Sequence, residues 1–225
     1  MKENRVDLLL ATSAAAAAVL LARALPFDEP PVVDRRIRRA AQAPALQPVR
    51  SVMRPLFPIG LPGGYITIAY LLARSLRRRR RSGGPAIVTS AWAGWLVHRA
   101  IKLVYQRERP RRRGRRRRTE SYPSGHTTGA TALSVTAARV LSREGLISHN
   151  ASLALGAVPP AVMGIYRVLA DDHWATDVLG GWLTGAAIGL ACDAALGETR
   201  SPRVPEALRR RELRHVRRVR QTSAV

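Results

Sequence analysis

The sequence predicts an all-α protein, a six-transmembrane helical bundle with a polar site at one membrane face. Three observations carry this. Six runs almost free of charge divide the chain, each close to the ~20 residues that cross a bilayer as a helix. Those runs are apolar on every side and leave no amphipathic pattern for a water-facing surface. The ionisable residues between them gather at run ends, where burial without a partner is costly and function is the usual reason for it. The averages hide all of this, because 46% hydrophobic and 24% charged residues are close to soluble proportions.

The first run covers residues 8–22 and extends past Arg23 to 27. Lys2 and Arg5 before it and Ala22-Arg23-Ala24 after it have the look of a signal peptide. The stretch is long for such a signal, so an uncleaved first span is expected. Residues 28–54 are rich in Pro and Arg, and Val32, Val33, Ile37, Ala40 and Ala41 alternate there with Arg35, Arg36, Arg38 and Arg39. This reads as a short helix in the membrane interface, with a solvated linker as the competing reading. The second run is 55–73, the third 82–97, the fourth 121–138 and the fifth 145–166. Pro159-Pro160 in the fifth would break a soluble helix but is tolerated inside a bundle. The sixth run, 178–192, extends past Asp193 to 196 and carries Gly180, Gly181, Gly185 and Gly189, as close helix packing in lipid favours. The expected division is a six-span domain over 1–200 and a basic tail over 201–225, on the cytosolic lipid surface.

The net charge of +23, with 38 Lys+Arg against 15 Asp+Glu, first suggests a nucleic-acid binder. The Arg runs, however, lack interleaved aromatics and no binding module is recognisable, so no nucleic-acid partner is expected. Lys2 and Lys102 are the only lysines, and the remaining cations are permanently charged guanidinium groups. Long apolar runs exclude intrinsic disorder. A single cysteine, Cys192, excludes an intramolecular disulfide framework and a cysteine-rich zinc site.

Three polar groups stand at the ends of the spans. Lys102, Gln106 and Arg109 are spaced by four and three, which on a helix puts them on one face, and Pro110 predicts that the helix ends near Arg109. Taken alone, this group reads as a basic helix end interacting with the macrodipole and lipid phosphates. Pro123-Ser124-Gly125-His126 opens the fourth span, with Ser124 near the N-cap and the amides of Gly125 and His126 at a positive helix end that suits an anion. Arg167 precedes Asp171-Asp172-His173, and Asp177 follows His173 at i+4, within reach of its imidazole. A carboxylate on one ring nitrogen fixes the tautomer and frees the other nitrogen as a nucleophile.

With six spans, the 3–4 and 5–6 connections fall on the same membrane face, so all three groups converge. Lys102, Arg109 and Arg167 with the Ser124 hydroxyl and Gly125 amide match a tetrahedral dianion, and His126 and His173 supply an acid and a nucleophile. No carboxylate cluster suited to Mg²⁺ accompanies them. Metal-independent phosphoryl transfer, without a cofactor, fits this set.

Taken together, Lys102-x6-Arg109-Pro110, Pro123-Ser124-Gly125-His126 and Arg167-x5-His173-x3-Asp177 resemble the tripartite signature of the type-2 phosphatidic acid phosphatase superfamily, over roughly residues 5–197. The resemblance implies an integral membrane lipid phosphate phosphatase. In that reading His173 attacks phosphorus and forms a phosphohistidine, Asp177 orients it, and His126 protonates the leaving alkoxide and then activates water. Lys102, Arg109, Arg167, Ser124 and Gly125 would hold the phosphate.

Three features depart from the pattern. Tyr166 stands where Ser is usual before Arg167, so one phosphate hydrogen bond is either missing or supplied by the phenol. Asp171 and Asp172 stand where small or apolar residues are usual; they either raise the pKa of His173 or cap the next helix. The run 111–118 is almost entirely arginine. Basic residues are nearly balanced between the two sets of loops, so charge alone orients the bundle weakly. The resemblance implies an extracytoplasmic site, and hence both termini inside, in a bacterial plasma membrane. The expected partners are a lipid phosphate and a bilayer with anionic lipids. A non-catalytic protein binding anionic lipid is the rival class, haloperoxidase chemistry a more remote one. The lipid and the oligomeric state stay open.

Overall fold

The computed structural model describes residues 2–26, 29–110 and 120–197. The arginine run 111–118 and the basic tail lie outside the described residues. Within them the chain is all-helical: α1 (Lys2–Ala24), α2 (Val32–Ala41), α3 (Gln47–Met53), α4 (Pro62–Arg78), α5 (Gly84–Val104), α6 (Gly125–Arg143), α7 (His149–Leu169) and α8 (Ala175–Leu196). One long helix falls on each of the six apolar runs. Three of them, α1 from Arg5 together with α7 and α8, are long and apolar enough to cross a membrane by length and composition.

Local chemistry sets several of the boundaries. Prolines in the first turn open α4 and α5, where a missing N–H costs nothing. The Ser148 Oγ accepts from the Ala151 amide at 3.3 Å at the start of α7. Gly83, at φ +82°, turns the chain into α5, and a Cβ there would lie 2.5 Å from Val140 Cγ1.

Helix α6 occupies the centre and packs against α8, α7, α5 and α4, while α1 lies along α8. Its buried hydroxyls are satisfied within the helix: Thr128, Thr131 and Thr136 each donate to the carbonyl four residues back, at 2.9, 2.7 and 2.9 Å. That arrangement removes the desolvation cost of burying them. The α6–α8 seam is closed by glycine. A Cβ on Gly185 would stand 2.5 Å from Thr131 Cβ and 2.6 Å from the Thr128 carbonyl oxygen, so the two backbones approach as far as glycine allows. In α7 both prolines are accommodated inside the helix, and the Trp182 indole donates to the Pro160 carbonyl at 2.9 Å. Away from the motifs, Arg139 pairs with Asp7 and Asp193, and Arg143 with Asp193 at 2.8 Å, tying α1, α6 and α8 together.

Helix α2 is amphipathic in an inverted sense. Its polar side, Asp34 and Arg38, turns inward, whereas Val33 and Ile37 are exposed. Arg38 forms a bidentate pair with Asp171 at 2.7 and 2.9 Å, and the Gln42 amide reaches the Leu169 carbonyl at 3.2 Å. The segment is therefore docked on the α7–α8 connection rather than left as a linker.

One expectation fails. Helix α5 ends at Val104 and Tyr105 is extended, at φ −102° and ψ 90°. Lys102, Gln106 and Arg109 therefore do not share a helical face: Lys102 is buried in the last turn and Gln106 is exposed. The cause lies in Arg107, whose buried ion pairs with Asp34 and Asp177 hold the departing segment extended.

The seam predicts a contrast between two glycines. Gly185→Ala should lower the thermal midpoint in detergent by the equivalent of about 1–3 kcal/mol. Gly63→Ala, where a Cβ meets nothing within 4 Å, should leave it unchanged or slightly raised. Equal midpoints for both variants would contradict the packing described.

Candidate active site

The α5–α6 connection meets the first turn of α8 through one backbone bond and closes on itself through another. The Ser124 amide donates to the Asp177 carbonyl at 3.0 Å, and the Ser121 amide to the Arg107 carbonyl at 2.9 Å. This brings the three sequence groups to one place. Between them lies a cavity of about 420 Å³ whose lining includes Lys102, Arg109, Gly125, His126, Arg167 and His173. That is every proposed site residue except Ser124 and Asp177, which are fully buried.

His173 sits in the short connection before α8 and is 3% exposed. Its Nδ1 lies 3.6 Å from the Asp177 Oδ2, longer than a hydrogen bond. Its Nε2 lies 3.4 Å from Arg109 Nη1. A guanidinium only donates and a carboxylate only accepts. The neutral ring is therefore held with its proton on Nδ1 and its lone pair on Nε2, on the cation side. Asp177 is fixed by more than the imidazole: its carboxylate accepts from Ser121 Oγ at 2.5 Å, the Trp174 amide at 2.9 Å and Arg107 Nη1 at 2.7 Å.

The cations are drawn inward by backbone carbonyls. Lys102 Nζ donates to the Glu120 carbonyl, Arg109 Nη2 to the same oxygen at 3.2 Å and Arg109 Nη1 to the Asp172 carbonyl at 3.2 Å. Arg167, 3% exposed, pairs with Asp172 at 3.0 Å and lies 5.3 Å over the Phe57 ring. Phe57 also sits 5.1 Å from the His126 ring, so this residue ahead of α4 spaces the two. The Nε2 of His126 is buried without a hydrogen-bond partner, and the ring's bond to the Phe57 backbone therefore runs through Nδ1. Nε2 is the nitrogen left to exchange a proton.

Gly125 has a reason the sequence did not show. A Cβ there would lie 2.7 Å from His98 Nε2, so the glycine admits a third imidazole, His98, to the cavity wall. Ser124 holds the N-cap position of α6 without a side-chain bond to the helix amides, and its Oγ accepts from Thr127 Oγ1 at 2.9 Å. Tyr166 is buried with its ring 5.7 Å from the Arg167 guanidinium, and it lines a neighbouring groove instead of this cavity.

Sequence reasoning missed Asp34, Arg107, Ser121 and Trp174. Arg107 stood inside the spacer of the first motif and Ser121 just before the second, yet neither spacing signals a partner. Asp34 was hidden in what read as an arginine-rich interfacial segment.

Burial pushes the His173 imidazole well below its ordinary value, and Arg109, Lys102, Arg167 and His126 add to the effect. The alternative that Asp171 and Asp172 raise it is overturned, because those carboxylates are engaged by Arg38 and Arg167. Arg38 is in turn raised, first by its hydrogen bond to Asp171.

The model of the PAP2 superfamily matches residues 83–198, more than half of the chain. The chain belongs to the PAP2 superfamily. This supports the phosphatase that the three motifs imply, and with three membrane-length apolar helices the PAP2 chain is an integral membrane protein. The same fold occurs in the transmembrane PAP2 type phosphatidylglycerolphosphate phosphatase from Bacillus subtilis, at a TM-score of 0.73 and 20% identity, covering 86% of this chain and 98% of that one. None of the curated proteins matches the chain in sequence.

The depressed His173 makes a direct prediction. Its ring resonance, assigned by its loss in His173→Gln, should not move between about pH 7.5 and about pH 5.5, where a free imidazole takes up its proton. The native ring stays neutral there while the unfolded chain protonates, so stability should fall as pH drops through that window. A titration midpoint near the ordinary value of 6.5 would contradict the described surroundings.

Proposed function

We propose that this PAP2 protein hydrolyses a lipid phosphomonoester or diphosphate at the outer face of a bacterial plasma membrane, through a phosphohistidine and without a metal ion. One observation carries the reading: a buried His173 has Nδ1 toward Asp177 and Nε2 toward Arg109, in a cavity whose lining includes Lys102, Arg109 and Arg167. Phosphatidic acid, phosphatidylglycerol phosphate and a polyprenyl diphosphate all have the required group, and the Bacillus subtilis protein of the same fold is a phosphatidylglycerolphosphate phosphatase.

In this mechanism Lys102, Arg109 and Arg167 bind the phosphoryl oxygens with the Gly125 amide as a neutral donor, and Ser124, buried and outside the cavity lining, must turn its hydroxyl inward to join them. They supply the charge that a divalent ion would otherwise supply, and they stabilise the equatorial oxygens of the transition state. The Nε2 lone pair of His173 forms the N–P bond as the bond from phosphorus to the lipid oxygen breaks. The Nδ1 proton stays in place, drawn toward Asp177 as the ring becomes cationic. His126, protonated at Nε2, gives that proton to the departing alkoxide. Its free Nε2 then takes a proton from water as the water oxygen attacks phosphorus, the N–P bond breaks and His173 is restored. The pair at Arg167 and Asp172 must loosen for the phosphate to share this guanidinium.

The helices α4, α5 and α6 complete six spans in this reading, with both termini inside and the domain ending near residue 200. The exposed Val33 and Ile37 of α2 face the lipid interface, where anionic headgroups meet its arginines. A reporter fused after Val225 should then be active only as a cytoplasmic fusion; periplasmic activity would contradict the orientation.

Detergent-purified protein should release phosphate from lipid phosphates with chelator present. His173→Ala should abolish release, and His126→Ala should slow it by about 10²–10⁴-fold, the usual worth of a positioned acid–base. Release that needs Mg²⁺, or that survives His173→Ala, would contradict the mechanism. Retained lipid binding with no release by the wild-type protein would favour the non-catalytic class.

A further inference from the structure

Behind His173 and Asp177 lies a second buried carboxylate that no motif contains. Asp34 on α2 accepts from Arg107 Nη2 at 2.7 Å through Oδ2, from Thr176 Oγ1 at 2.6 Å through the same oxygen, and from the Thr176 amide at 3.0 Å through Oδ1. Arg107 Nη1 donates in turn to Asp177 Oδ1 at 2.7 Å and to Thr176 Oγ1 at 2.7 Å. The side chains of Asp34, Arg107 and Asp177 are 0%, 4% and 0% exposed, so water screens none of these charges. The order is Asp34, Arg107, Asp177, His173, running from the interfacial helix to the proposed nucleophile.

We infer that Asp34 and Arg107 are positioning residues that set how much negative charge Asp177 presents to His173. The inference rests on His173 being the nucleophile. Its basis is a charge count. A lone guanidinium bonded to Asp177 would neutralise it and leave a poor acceptor for the His173 Nδ1–H. Asp34 takes the other edge of the same guanidinium, so the three groups together carry one net negative charge. That charge balances the ring only when N–P bond formation makes it cationic. Arg107 meanwhile fixes the Asp177 carboxylate in place and keeps two buried carboxylates from repelling each other. Thr176, hydrogen-bonded to both Asp34 and Arg107, aligns the set without changing its charge. The arrangement also makes α2 part of the active site, because it supplies the distal carboxylate.

The test compares Asp34→Asn, Arg107→Gln and the double variant in detergent, with melting recorded for each. Asp34→Asn should lower kcat by about 10–100-fold, as loss of an outer partner does, with KM changed less than threefold. Arg107→Gln should also lower kcat, because it leaves two adjacent carboxylates uncompensated. The double variant restores one net negative charge and should be faster than either single variant, by tenfold or more over Asp34→Asn. A purely structural brace predicts the reverse, since the double variant has lost the most bonds. If one single variant melts below the assay temperature, the other is judged against the same double variant. A double variant no faster than the better single, or an Asp34→Asn protein with wild-type kcat, overturns the inference. Phosphate release by the wild-type protein and none by His173→Ala establishes the reading on which it rests. Release unaffected by His173→Ala refutes that reading separately and takes the inference with it.

Discussion

The Asp177 carboxylate is the interaction on which the site depends. It is wholly buried, it caps the start of α8 through the Trp174 amide, and it accepts from Ser121 on the α5–α6 connection and from Arg107 beyond α5. One group thus joins a helix terminus, two chain connections and the imidazole of His173. Burying a carboxylate costs several kcal/mol unless its oxygens are satisfied, and here three donors satisfy it before His173 is counted. Geometry and electrostatics are inseparable at such a point. Whatever holds the two connections together also fixes the tautomer of His173.

A second constraint is the distance between α6 and α8. Ser124, Gly125 and His126 begin α6, and Asp177 lies in the first turn of α8, so the glycine seam further along these helices sets how the two groups face each other. Gly125 and Gly60 serve a related purpose inside the cavity, where a Cβ would collide with the rings of His98 and His126 respectively. Backbone permissiveness is spent where side chains converge.

Much of this was legible in the sequence. Each apolar run became a long helix, and His126, His173, Lys102, Arg109, Arg167 and Gly125 were recognisable from motif spacing and do line one cavity. Local pattern is enough for such features, because spacing along the chain reports which residues share a turn or a connection. The end of α5 was misread. Helix periodicity over Lys102, Gln106 and Arg109 was a sound local argument, but the buried pairs of Arg107 outweighed it. Asp34 was illegible for the same reason: its partner is 73 residues away in sequence, and nothing in its neighbourhood distinguishes it from an interfacial acid. Contacts across that separation are decided by packing, on which composition is silent. The same holds for Asp171 and Asp172, for which sequence left action on His173 and helix capping both open, and whose charges are taken up by Arg38 and Arg167.

The central claim is that His173 becomes covalently attached to phosphorus. Rapid quenching of the purified protein with phosphorus-labelled lipid phosphate, followed by alkaline digestion and mass spectrometry, tests it directly. The account predicts a phosphate stable to alkali, labile to acid and located on residue 173, formed and then lost as phosphate is released. Single-turnover release with no labelled protein at any time, or label carried by His126 in place of His173, would contradict it.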